Sequence, residues 1–75
     1  MAQENKAATR KLRARLRELE KTIATYKAEQ QAIQQEFLRD AGAWSRERDE
    51  RARHLSTLIQ QEEDKWLELA KKLES

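Results

Sequence analysis

Apolar residues recur at the coiled-coil interval in both halves of this chain, and the two recurrences do not share a phase. In the first half Leu12, Leu16, Leu19, Ile23, Tyr26, Ile33 and Phe37 follow one another at alternating steps of four and three, with Gln30 in the vacant slot. Heptad spacing puts Leu16, Ile23, Gln30 and Phe37 at a, and Leu12, Leu19, Tyr26 and Ile33 at d. Ala52, Leu55, Ile59, Trp66, Leu69 and Leu73 repeat the pattern in the second half, with Glu62 in the gap, but one residue out of step. Two amphipathic helices with a break between them satisfy both stripes.

The break falls in Asp40-Ala41-Gly42-Ala43-Trp44-Ser45. Gly42 suits the left-handed position that closes a helix, and Ser45 suits the N-cap of the next. The spacing predicts helix one at roughly 4–41, a turn at about 42–44 and helix two at roughly 45–74, all in one hairpin domain. The fold class expected is all-α: a two-helix antiparallel coiled-coil hairpin, able to dimerise into a four-helix bundle.

Antiparallel pairing tests this reading, because a residues on one helix should face d residues on the other. A turn centred near Gly42 gives a register in which facing residue numbers total roughly 85, with layers such as Leu12–Leu73, Leu16–Leu69 and Tyr26–Ile59. A register slid by one heptad, totalling roughly 92, would join Gln30 to Glu62 but needs a loop of about ten residues. The turn chemistry favours the first. A single helix running through Gly42 remains a third arrangement, although residues 40–51 would then have little to bury.

Composition narrows the class. Charged residues make up 40% of the 75 residues, yet proline is absent and Gly42 is the only glycine. Disordered segments of similar charge are normally rich in both, so helix is the better reading. No cysteine is present, so neither disulfides nor thiol chemistry contributes. The opening residues lack the apolar stretch of a signal peptide, and no apolar run approaches the ~20 residues of a membrane span. The expectation is a cytoplasmic protein without membrane attachment. Lys65 to Leu73 could be drawn as an amphipathic surface helix, but its apolar residues already complete the seam.

Nothing in the chain assembles a catalytic or metal site. His54 is the sole histidine, at an outward c position with only Glu50 at helical spacing, and zinc requires three or four ligands. Neither Ser45 nor Ser56 has a base and its orienting partner, and no glycine-rich phosphate loop occurs. No enzyme, no cofactor and no small-molecule ligand are expected, since a helical pair offers no enclosed pocket.

Two features point to macromolecular binding. Lys6, Arg10, Lys11, Arg13, Arg15 and Arg17 form a block without an acidic residue, leaving a net −4 on the other sixty-three residues against a total of +2. Basic residues early in a helix oppose its dipole. With Lys71 and Lys72 at the same end of the hairpin they would make a basic collar, which phosphate backbones favour. Equally, Arg13 and Arg15 at e and g can pair across helices in an ordinary charged surface. The second feature is apolar residues off the seam, Leu58 at g, Ala70 at e, and Leu38 and Leu67 at b, of which Leu58 and Ala70 widen the stripe for another helix. Trp66 at a reads as core. Trp44, beside the turn, reads as a plug or as an exposed anchor.

The strings "KLRARLRELE", "RDAGAW" and "QQEEDKWLELAKKLE" together resemble the C-terminal coiled-coil domain of ABC-F ATPases of the Uup type. Glu62, Glu63, Trp66, Leu67 and Glu68 stand where that domain has its Glu-rich turn, Trp and Leu-Glu pair. The resemblance implies a helical hairpin facing nucleic acid, with Lys11, Arg13, Arg15 and Arg17 as contacts. The second helix is about a heptad shorter than the family's, and the ATPase domains have no counterpart here.

The expected function is a non-catalytic coiled-coil interaction module that binds a helical protein partner or self-associates, with Trp44, Leu58, Leu67 and Ala70 as the partner face. The alternative is a nucleic-acid-binding arm that uses Lys6, Arg10, Lys11, Arg13, Arg15, Arg17, Lys71 and Lys72.

Overall fold

The computed structural model describes residues 2–74, with side chains described for 6–74. The chain is an all-α hairpin: α1 (Ala2–Arg39), a short 3-10 turn (Ala41–Ala43) and α2 (Arg46–Glu74), with the two long helices packed together. It forms a rod of 61 × 15 × 15 Å. At 1.5 Å per residue α1 alone accounts for about 57 Å of that length.

The two helices separate where Asp40 leaves helical space, at φ −148° and ψ 105°. Its carboxylate turns back to accept the Gly42 N–H at 2.9 Å, while its carbonyl accepts the Ala43 N–H at 2.9 Å. Gly42 therefore does not adopt the left-handed conformation expected of it, and no glycine has a positive φ. The helix ends where Asp40 turns extended, and the aspartate N-caps the 3-10 turn that follows. A Cβ on Gly42 would lie 3.2 Å from Asp40 Oδ1, so the glycine makes room for that cap. Ser45 behaves as expected, its hydroxyl accepting the Arg48 N–H at 3.2 Å. Glu47 and Asp49 in the first turn of α2, and Lys71 and Lys72 in its last, both suit the helix dipole. Asp40→Ala should cost about 1 kcal/mol and exceed the cost of Gly42→Ala in thermal melts; the reverse order would restore the left-handed reading.

Every seam position from Leu12 to Phe37 and from Ala52 to Leu73 is buried or half-buried. Among the described residues the buried core is Leu16, Leu55 and Ile59, and of these Leu55 is fully withdrawn from solvent. Contacts between the helices fix the register. Glu36 pairs with Arg48, Glu29 with Arg51, and Trp66 donates its indole N–H to Glu20 at 3.1 Å. These pairs straddle the turn-centred register and fall short of the slid one. Gln30 accordingly does not meet Glu62. Its amide donates to the Ala52 carbonyl at 3.1 Å and to the Ser56 hydroxyl, while Glu62 binds Lys65 at 3.2 Å. Each polar seam residue is thus satisfied separately, and Leu55 beside Gln30 stays fully buried.

The hydrogen bonds from Arg51 hold the Glu29 carboxyl below its usual range, and the same bonds raise Arg51. A depressed carboxyl stabilises the fold above its ordinary titration range, and that contribution is lost as pH falls through it. Melting temperature should therefore drop on acidification from neutrality; Glu29→Gln should reduce the drop.

Candidate interaction surfaces

The basic block divides between two faces. Lys6, Arg10, Arg13 and Arg17 succeed one another at steps of four, three and four, which lays them along one side of α1. With Thr9 they line a shallow concavity of about 470 Å³. Lys11 lies off that side, and Arg15 turns toward α2, sharing a different concavity with Leu19, Lys65, Glu68 and Leu69. Lys71 and Lys72 stand in the last turn of α2, at the same end of the rod. Among the described residues no salt bridge engages any member of the block from Lys6 to Arg17. Cross-helix pairing of Arg13 and Arg15 does not form. Because α1 begins at Ala2, Lys6 already lies beyond the first turn, where the dipole penalty has largely faded.

The off-seam apolar residues also separate. Leu58 and Leu67 are nine residues apart on α2, half a revolution, so they point to opposite sides. Ala70, three residues beyond Leu67 and half-buried, shares the side of Leu67. Trp44 closes the 3-10 turn and is 55% exposed, so it does not plug the end of the hairpin. Leu38 is 86% exposed near the same end.

A feature not read from the sequence lies on the Leu67 side. An open groove of about 480 Å³ runs between the helices, with Ile23, Ala24, Trp66 and Leu67 as its apolar lining. Glu20, Lys27 and Glu63 supply its charged lining, and Lys27 Nζ sits 3.6 Å from Glu63 Oε2. Trp66 is therefore only half-buried: one part fills the seam and another forms the groove wall. The signal was the small Ala24 beside Ile23, with Leu67 just outside the seam. This groove shares Glu20 with a neighbouring depression, which shares Arg13 and Arg17 with the basic concavity. The three depressions follow one another along α1 from Lys27 to Lys6, a channel of about 30 Å at the helical rise whose basic end is lined by α1 alone.

His54 is exposed, and no group of three or more His, Cys, Asp or Glu side chains suited to a metal occurs among the described residues. No helix among them is long and apolar enough to cross a membrane. Compared with protein-family models, curated proteins and solved structures, the chain matches none.

Proposed function

We propose that this hairpin is a non-catalytic interaction module that presents an uncovered apolar flank to another helix, in a partner protein or in a second copy of itself. The observation that carries this reading is the mismatch between surface and core. The chain exposes 6305 Å², whereas a compact monomer of its mass exposes about 4,800 Å². A rod is expected to expose more than a sphere, but here the surface includes half-exposed Leu67 and an open groove beside Trp66. A chain without cysteine suits a reducing cytoplasmic setting.

Sedimentation equilibrium between about 1 and 100 μM, concentrations that bracket weak to moderate association, tests the self-associating form. Dimers of hairpins in that range would put a second copy on the flank. A monomer throughout would remove self-association and leave the hetero-partner alone.

The nucleic-acid arm is retained as a second reading because Lys6, Arg10, Arg13 and Arg17 share one face without ion-pair partners among the described residues. The resemblance to the Uup-type arm points the same way. If phosphate is the target, Arg13→Gln and Arg17→Gln should each make the log–log salt slope of RNA or DNA binding shallower by roughly 0.7–0.9. Arg15→Gln, off that face, should change it less. Absence of binding at about 50 mM salt, where screening is weak, would discard this reading.

A further inference from the structure

The geometry points to one kind of occupant for the channel from Lys27 to Lys6: an amphipathic helix of a partner protein, apolar over one half and acidic over the other. This rests on the interaction-module reading and specifies its partner. The channel's two ends differ in chemistry. Near Lys27 the lining is Ile23, Ala24, Trp66 and Leu67, with Leu67 51% exposed. Toward the open end of the rod it is Arg17, Arg13, Arg10 and Lys6, cations with no carboxylate paired to them among the described residues. An apolar surface gains from burial whatever covers it, whereas four aligned cations gain only from anions. A helix of about 20 residues spans the channel, and it would meet both halves at once. Acidic residues in its first turns would also suit its own dipole. It would then run parallel to α1 throughout, and antiparallel to α2 where Trp66 and Leu67 line the groove.

Charge argues against the two other occupants. Phosphate over the apolar half would meet Glu20 and Glu63, the first held by the Trp66 N–H and the second already paired with Lys27. A second copy, packed two-fold across the groove, would set Lys6 to Arg17 against Lys27, Gln31, Gln34 and Leu38, the residues that continue the same side of α1. None of these is acidic.

The test uses the full chain carrying Trp44→Phe, which leaves Trp66 as the one indole. The probe is a synthetic helix of about 20 residues, Glu-rich in its first half and bearing Leu at i, i+3, i+4 and i+7 in its second. A counterpart has every Glu replaced by Lys. Saturable blue-shifted Trp66 emission is expected with the Glu peptide at micromolar concentration and not with the Lys peptide. Arg13→Gln with Arg17→Gln should weaken binding about tenfold, and Leu67→Gln by a similar factor. These positions are exposed, so circular dichroism should stay unchanged. Should either variant unfold, the two peptides on the otherwise unmutated chain still decide. Equal binding of both peptides would overturn the acidic specificity while leaving the interaction module standing. Three results would overturn the assignment outright: neither peptide binding, an oligonucleotide shifting Trp66 where the Glu peptide does not, or a blue shift that grows with chain concentration alone.

Discussion

Leu55→Ala unfolds the isolated hairpin. Among the described residues Leu55 is the one large side chain with no exposed surface, held beside the Gln30 layer and one turn from Ile59, also buried. Truncating a buried leucine costs about 2–5 kcal/mol, through lost transfer energy and the cavity left behind. In a larger domain that loss is survivable. Here only Leu16 and Ile59 join Leu55 in the buried core, and two-helix scaffolds of this size rarely hold more than about 3–5 kcal/mol. The far-ultraviolet helical signal at 25 °C should fall to that of a largely unfolded chain. Leu38→Ala, at an exposed site, should leave the melt within about 0.5 kcal/mol of the parent. Similar effects from the two substitutions would mean that the core lies elsewhere.

Glu62→Leu should act in the opposite direction and raise the melting temperature. Glu62 occupies a seam position, its side chain is only 16% exposed, and its one salt bridge runs to Lys65 on the same helix. Such an i,i+3 pair contributes at most about 1 kcal/mol, whereas an apolar side chain buried there gains about 1.5–3 kcal/mol. A net gain of about 1–2 kcal/mol corresponds to roughly 5–15 °C in a domain this small. The present residue keeps the seam polar near Ile23, and polar seam residues are known to fix register at a cost in stability. The leucine variant should therefore be more stable but freer to slide, which disulfide trapping between cysteines introduced at facing positions would detect. A lower melting temperature would show that Glu62 holds a cross-helix contact that the Lys65 pair does not account for.

The fold was legible because period and phase are properties of the sequence itself. Leu12 through Phe37 and Ala52 through Leu73 fix two stripes whose layers allow two registers, and the turn near Gly42 favours the one that Glu20–Trp66 and Glu36–Arg48 then obey. Gly42 misled because glycine is the usual helix terminator, whereas here an aspartate two residues earlier supplies the cap. Leu58 and Leu67 were grouped as off-seam residues although nine helical positions put them on opposite sides, a fact the numbering already held. The groove was hinted at only by Ala24 and Leu67. It depends on how far the helices stand apart beside Ala24, a distance set by the packing of Trp66 against Glu20 and the seam. The basic block was visible as a run, and the positions of Arg13 at e and Arg15 at g already divided it between two sides; the absence of an ion-pair partner for either among the described residues was not legible.

The claim that this hairpin is built to be covered is tested most directly by urea unfolding of the chain alone at about 1 μM, a concentration below weak-interface dissociation constants. A partner-dependent rod should unfold with a free energy below about 3 kcal/mol, and its midpoint should rise as chain or a bound helix is added. An unfolding free energy above about 5 kcal/mol, unchanged by concentration or by added helix, would show a self-sufficient fold and contradict it.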